Sequence, residues 1–204
     1  MVFGTSYALH RIILDQAPFF ASALSPPWLE ATARELTLHP EDTDHNITKT
    51  AFELALRRLY GHPDHAAEAT EAFSLFATAC WLEMTDLMSD SVEQLLKQMA
   101  NTTLPAMVNM VTVNYYGQAG DRILHAAKAM LSRDGYEMPL KSWDDISTDV
   151  IRDIVGGDSF YVQTEWRRWN LARRLLNRRL KLIARDLDHK EHVSFDVNLS
   201  LIHI

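Results

Sequence analysis

Residues 7–20 read Y-A-L-H-R-I-I-L-D-Q-A-P-F-F, and this stretch sets the expected fold of the first half of the chain. Tyr7 and Leu9 can pack inward from a short strand, because alternate side chains of a strand share one face. The apolar residues that follow have a loose helical spacing, and Phe19 and Phe20 can anchor that helix against a sheet. We therefore predict a strand that leads directly into a helix.

Neighbouring segments extend this prediction. The first nine residues predict two short extended pieces around a Gly-Thr-Ser turn, and residues 35–38 are a short strand candidate. Later apolar residues recur three and four apart, which indicates helices, and Gly61 and Pro63 end the first of these. The predicted helices are residues 48–59, 71–82 and 85–99. The first hundred residues thus predict a short mixed sheet followed by helices.

The second half predicts an all-α segment that begins after the polar step at residues 101–103. Its helices are expected at residues 105–117, 120–133, 147–155 and 164–187. Apolar and polar residues then alternate strictly over residues 193–201, which is typical of a half-buried strand. Such a strand needs a partner for its backbone groups, so it either pairs within the fold or belongs to a chain that continues.

Composition and charge narrow the class of protein. Hydrophobic residues make up 47% and charged residues 23% of the 204 residues, which is typical of a soluble globular chain. No apolar run approaches the roughly 18 residues of a membrane span, and no signal peptide is recognisable. Cys80 is the only cysteine and is expected to be a buried, inert thiol. These features predict an intracellular protein, in the cytoplasm, the nucleus or both.

The net charge of -7 is unevenly distributed. Residues 1–100 carry 6 Lys and Arg against 14 Asp and Glu, whereas residues 101–204 carry 14 against 13. Because Lys and Arg are what neutralise a phosphate backbone, nucleic acid is disfavoured as a partner of the first half.

No residue pattern for catalysis or cofactor binding stands out. The sequence has no nucleophile elbow, no Gly-rich phosphate loop, no dinucleotide fingerprint and no zinc-protease helix motif. Histidines occur in three pairs, and each pair offers two ligands where zinc needs three or four. The pairs are His39 and His45, His62 and His65, and His189 and His192. We predict no metal, no cofactor and no enzymatic activity, with an enzyme of unrecognised site as the remaining alternative.

A cationic amphipathic helix is expected near the end of the chain, because residues 166–185 hold eight basic side chains and no acidic one. At about 100° per residue, its apolar residues fall on one stripe and its cations on the opposite, outer side. The stripe consists of Trp169, Ala172, Leu176, Leu180, Ile183 and Leu187. The candidate partner-binding cations are Arg167, Arg174, Arg178, Lys181 and Arg185.

Two interpretations of these cations remain open. They are either solvated or paired with acids of the first half, or they bind an acidic protein partner or an anionic surface. Nucleic acid is again disfavoured, because no aromatic stacking platform accompanies the arginines.

Three motifs in sequence order resemble the BTB (POZ) family of interaction domains. The spacing from His10 to Leu14, with A-P-F-F at 17–20, is similar to the strand-to-helix step of that family. F-E-L-A-L-R-R-L-Y-G at 52–61 is similar to its aromatic and leucine helix end, and L-F-A-T-A-C-W-L-E-M-T-D-L at 75–87 to its Leu-Ala helix. The three motifs are specific when they are taken together.

The second half resembles the BACK-type helical extension of that family. D-V-I-R-D-I-V at 149–155, D-S-F-Y-V at 158–162 and Glu165 follow its pattern. E-W-R-R-W at 165–169 looks most like large fungal BTB proteins and their germ-cell-less-like relatives.

The resemblance implies an α+β fold, in which a BTB/POZ domain with a short mixed sheet flanked by helices precedes an all-α BACK segment. The implied BTB/POZ domain is 1–100, with its first strand truncated or absent. A BACK-like helical domain would cover 104–187 and a strand-like tail 188–204.

The resemblance also implies a function, that of a non-enzymatic protein–protein interaction adaptor. The expected role is substrate adaptor of a cullin-based ubiquitin ligase, with a cullin scaffold and a second copy of the chain as partners. The alternative is a transcriptional or nuclear-envelope scaffold that uses the BTB domain for self-assembly only. The sequence departs from the family pattern in two respects. The first strand, which helps to build the homodimer in the family, is truncated or absent here. A-F-E at 51–53 is a degenerate form of the hydrophobic-x-Glu signature for cullin binding.

Overall fold

A computed structural model of the chain describes residues 1–26, 28, 32–33 and 35–200, with side chains described as far as residue 185. The chain divides into two compact units, Met1–Ala127 and Lys128–Ile204. The family domain limits expected from the sequence, 1–100 and 104–187, stay predictions.

The described residues are predominantly helical. The α-helices are α1 (Arg11–Leu14), α2 (Pro18–Ala23), α3 (Pro40–Thr43), α4 (Lys49–Leu59), α5 (His65–Thr70), α6 (Ala72–Trp81), α7 (Thr85–Lys97), α8 (Leu104–Val113), α9 (Gly117–Asp134), α10 (Thr148–Gly156) and α11 (Glu165–Ser200). Two 3₁₀ turns, Gly135–Glu137 and Leu140–Trp143, lie between α9 and α10. The long helices predicted in both halves are confirmed to within a few residues, except that α11 is longer.

The predicted α+β fold class is wrong, because the described part of the chain contains no β-strand. Its extended segments meet only at two isolated bridges, which join Val2 to Thr5 and Val2 to Leu38. Val2 and Thr5 exchange two backbone hydrogen bonds of 2.9 Å across a turn in which Phe3 and Gly4 have positive φ. Single bridges do not propagate into a ladder, so the expected mixed sheet is reduced to these contacts.

The strand expected over residues 193–201 is also wrong where it is described, because α11 continues through Ser200. The physical reason is the one that made a lone strand costly. No described strand of this chain is available to pair with it, whereas a helix satisfies its backbone groups internally. Leu201 and the rest of the tail to residue 204 lie outside the described residues.

Helix α4 shows how local sequence sets the helix ends. Thr48 accepts a hydrogen bond from the backbone of Ala51 at 3.2 Å and so caps the first turn. At the other end Gly61 has a φ of +73°, and the amides of Gly61 and His62 donate to Arg58 and Arg57. This pair of bonds is a Schellman motif, for which glycine is favoured because it adopts positive φ without strain.

The opening stretch supplies part of the core of the first unit. Phe20 is buried, and the Phe19 ring lies 4.3 Å from that of Trp81, so the predicted aromatic anchor is confirmed, although against helices rather than a sheet. A second apolar cluster includes the buried side chains of Phe76 and Ile123. Apolar burial of this kind is the main favourable term in folding.

The side chain of Trp143 is fully buried in the second unit. Other buried side chains around this sequence region belong to Ile146, Val150, Ile154, Phe160, Leu171 and Leu175. Gly135 is what allows the Trp143 ring to fit, because a Cβ atom at that position would lie 2.9 Å from Trp143 Cζ2 and 3.3 Å from Phe160 Cε2. A methyl group has no room there.

We expect Gly135→Ala to destabilise the protein by about 1–3 kcal/mol, because overpacking a dense core forces side chains off their preferred rotamers. Gly156→Ala is the matched control, since a Cβ at Gly156 would meet nothing within 4 Å. Urea denaturation followed by circular dichroism measures both. Equal midpoints for the two variants would contradict the packing described for Trp143.

Candidate functional site

Helix α11 begins at a turn that its own residues hold in place. The backbone amide of Arg167 donates to Thr164 Oγ1 at 3.3 Å, and Glu165 lies in the first turn, where a carboxylate complements the helix dipole. The Arg168 guanidinium donates to the carbonyls of Gly157 and Phe160, at 3.3 Å each. The start of α11 is thereby joined to the loop that precedes it.

Two consecutive arginines join the middle of α11 to the segment before α10 and to the first residue of α10. Arg178 forms a bidentate ion pair with Asp144, with Nε 2.6 Å from Oδ1 and Nη2 2.5 Å from Oδ2. Arg179 donates to Thr148 Oγ1 at 2.8 Å and to the backbone carbonyls of Trp143 and Ile146. Forked arginine contacts of this kind fix orientation as well as position.

These contacts set the rotation of α11 about its axis, and the apolar stripe expected from the sequence is not the side that is buried. Leu171 and Leu175 are buried, at 4% and 5% exposure, whereas Trp169 and Leu176 are exposed at 58% and 60%. Leu180 and Ile183 are also exposed. At about 100° per residue, the buried row and the predicted stripe lie roughly a third of a turn apart. Leu187, the last residue of that stripe, has no described side chain.

The candidate cations lie beyond the buried row, on the side away from the stripe. Arg167, Arg174, Lys181 and Arg185 are exposed, and none of them forms an ion pair with a carboxylate whose side chain the structure describes. Arg178 differs from these four cations because it is ion-paired with Asp144. The role of the five candidate cations in binding a partner stays a prediction.

Asp44 organises a second polar cluster, in the first unit. This buried carboxylate accepts hydrogen bonds from Asn46 Nδ2 at 2.9 Å, from Asn114 Nδ2 at 3.2 Å and from the Tyr116 hydroxyl. Burial, together with the Asp44 bond, raises the pKa of Tyr116. Sequence reasoning missed this cluster, because its members are some 70 positions apart and no local pattern connects them.

The negative charge of Asp44 acts on the Cys80 thiol. Burial, and secondarily the negative charge of Asp44, raises the pKa of the Cys80 thiol to about 12. The thiolate, which is the nucleophilic form, is therefore scarce at neutral pH. The cluster thus supplies a structural anchor and no activated nucleophile.

The histidine pairs that the structure describes do not gather into an ion site. His65 Nδ1 lies 3.3 Å from Glu68 Oε2, but Glu68 is already held by Arg58 at 2.8 Å. His39 lies 3.5 Å from the neighbouring Glu41. Throughout the described residues, no three His, Cys, Asp or Glu side chains are placed to share a metal ion. The side chains of His189 and His192 lie outside the described residues.

The A-F-E segment at 51–53, which was compared above with a family signature for cullin binding, lies on α4. Phe52 is buried, and Glu53 accepts a hydrogen bond of 2.8 Å from the Tyr7 hydroxyl. Both side chains are therefore engaged within the first unit.

Comparisons with known proteins cover most of this chain. Human germ cell-less protein-like 1 is 26% identical over 165 residues, which cover 78% of this chain and 30% of the relative. The mouse protein of the same name is 25% identical, and human germ cell-less protein-like 2 is 24% identical, each over 78% of this chain and 29% of the relative.

The chain is similar to germ cell-less-like proteins. It spans less than a third of the length of these curated relatives. No protein-family model matches it. Within the described residues, no helix combines the length and the apolar character that crossing a bilayer requires.

We expect Asp144→Asn to lower the free energy of unfolding by about 1 kcal/mol near neutral pH, because a partly exposed ion pair with forked geometry is lost. The Arg178 hydrogen bond is the main cause of the lowered pKa of Asp144 in the folded chain. A carboxylate whose pKa is lowered on folding stabilises the folded chain at pH values above its unfolded pKa. That stabilisation is lost as the pH falls through the folded pKa. The gap between wild type and variant should therefore be constant above about pH 5 and close as the pH falls below the unfolded pKa of about 4. A gap that widens in acid would contradict the ion pair.

We expect native Cys80 to react at least about 100-fold more slowly with a disulfide reagent than the unfolded chain does, because its raised pKa leaves little thiolate. The measurement is the release of the coloured leaving group at mildly alkaline pH, with and without denaturant. Cys80 is the only cysteine, so the signal has one source. Equal rates in the two states would contradict the raised pKa of the Cys80 thiol.

Proposed function

We propose that this chain is part of a non-enzymatic protein that binds other proteins as an adaptor or scaffold. The observation that carries the proposal is the exposed side of α11, where Trp169, Leu176, Leu180 and Ile183 share one stripe. Contiguous exposed apolar surface is uncommon on soluble monomers and marks sites of interaction. The similarity to germ cell-less-like proteins supports the same role.

In its finer form, the proposal is that the protein belongs to the BTB group with a BACK-type extension and acts inside the cell as a substrate adaptor of a cullin-based ubiquitin ligase. The three ordered motifs at 10–20, 52–61 and 75–87 support this assignment, as does the arginine-rich segment at 165–169. Self-association of the chain is part of the same proposal.

The cationic side of α11 is the proposed docking surface for an acidic scaffold. Arg167, Arg174, Lys181 and Arg185 project from one side of the helix, and a row of like charges is destabilising unless a counter-surface neutralises it. Arg178 is already paired with Asp144, so its part in this surface is to hold the helix in place.

The test is binding of the full chain to the purified N-terminal domain of a cullin, measured by biolayer interferometry. We expect saturable binding at micromolar concentration, weakened several-fold by combined Arg174→Glu and Lys181→Glu substitutions because two attractive charges become repulsive. Arg122→Glu is the matched control, because Arg122 is an exposed arginine on a different helix, α9. Failure of the wild-type chain to bind would remove the cullin role and leave the broader adaptor proposal standing.

A further inference from the structure

A groove of about 500 Å³ runs along the second unit between α10 and α11. Its floor is apolar, formed by Ile151 and Val155 of α10 and by Ala172, Leu175 and Leu176 of α11. The residues of α11 that line it span 165–179, which corresponds to about 21 Å, or four helical turns. A surface of that length and character fits one side of a second helix.

Trp169 is a ready anchor at the edge of this groove. It lines the groove and remains more than half exposed. The Arg173 guanidinium carbon lies 5.0 Å from the centroid of the Trp169 ring, a cation–π contact that restricts the ring. A large aromatic side chain that is held before binding loses little entropy on association and is a common hot spot.

The polar rim of the groove is predominantly positive. Arg152, Arg168 and Arg179 line it, against a single carboxylate, Glu165. Among the described side chains, Arg152 pairs only with Asp149 one turn earlier, and both are more than 70% exposed, so this ion pair is weak and exchangeable.

Arg168 forms an ion pair with Glu165 at this rim. Its buried Nε atom lies 3.5 Å from Glu165 Oε2, too far for a good hydrogen bond. The Arg168 side chain is 20% exposed, so a carboxylate of a bound helix can add a charge-assisted contact to the guanidinium.

The arginines at the rim make a second copy of α11 a poor occupant of the groove. It would bring a segment with eight basic residues and no acidic one, residues 166–185, against a rim of arginines. Like charges brought together at an interface cost free energy.

We propose that this groove binds an amphipathic helix of another protein, with apolar residues on one side and carboxylates along its flanks. The apolar side covers Trp169 and Leu176, and the carboxylates meet Arg152 and Arg168. The inference rests on the proposed protein-binding role and specifies the chemistry of one partner. The groove is separate from the row of cations at Arg174 and Lys181, so the two surfaces can be tested apart.

The probe is a synthetic stapled helix of about 18 residues, with leucines on one side and glutamates on both flanks. A second peptide carries lysine in place of each glutamate. Fluorescence anisotropy with the full chain should show saturable binding of the glutamate peptide and at least about tenfold weaker binding of the lysine peptide. No binding of the glutamate peptide, or equal binding of both, overturns the proposal.

Two matched pairs of substitutions locate the binding site. Trp169→Ala should weaken binding of the glutamate peptide at least about tenfold, whereas Trp166→Ala should change it less than about threefold. Neither change disturbs a buried core, because both tryptophans are exposed. The two positions differ in that Trp169 lines the groove and Trp166 does not. Arg152→Glu should likewise weaken binding where Arg174→Glu does not. The reverse order in either pair overturns the assignment to the groove.

Three further outcomes separate this inference from its alternatives and from the proposed function. If the chain binds the cullin domain but not the peptide, the groove proposal fails and the adaptor role stands. If light scattering shows a dimer that Trp169→Ala converts to monomer, the occupant is a second copy and the acidic-helix proposal is overturned. Peptide binding with no cullin binding supports the groove and removes the cullin role.

Discussion

The fork between Arg178 and Asp144, reinforced by Arg179 on the neighbouring carbonyls, determines which side of α11 meets solvent. The helix is long and apolar on more than one side, so its sequence permits several rotations. With the fork in place, Leu171 and Leu175 turn inward and the stripe through Trp169 and Leu176 turns outward. Each large apolar side chain left in water forgoes roughly 1.5–3 kcal/mol of burial, which makes an unpartnered stripe a surface that gains free energy when it is covered.

The helices were predictable because their signals are local. Apolar spacing, a threonine cap at Thr48 and a glycine at Gly61 specify α4 with no knowledge of the rest of the chain. The absence of a sheet from the described residues was not predictable, because strand pairing depends on distant partners, and here the extended segments meet only through Val2. Alternating polarity at residues 193–201 likewise suggested a strand, whereas α11 runs through Ser200.

The candidate site was predictable only in part. The sequence identified the cationic helix and its apolar stripe but not which side is buried, because that depends on Asp144, 34 positions before Arg178. The groove was missed for a related reason, since its floor combines residues of α10 with residues of α11. Asp44 and Tyr116 illustrate the same limit at 72 positions. Contacts between distant side chains carry no periodicity that a sequence pattern could display.

The rotation of α11 determines which of its apolar side chains meet solvent, and hydroxyl-radical footprinting of the full chain with mass spectrometry measures that rotation directly. In the free protein, Trp169 and Leu176 should be oxidised readily while Leu171 and Leu175 are protected, since oxidation follows exposure to solvent. Addition of the glutamate-flanked helix should protect Trp169 and Leu176 and leave Trp166 reactive. Protection of Trp169 and Leu176 in the free chain, together with oxidation of Leu171 and Leu175, would contradict the account.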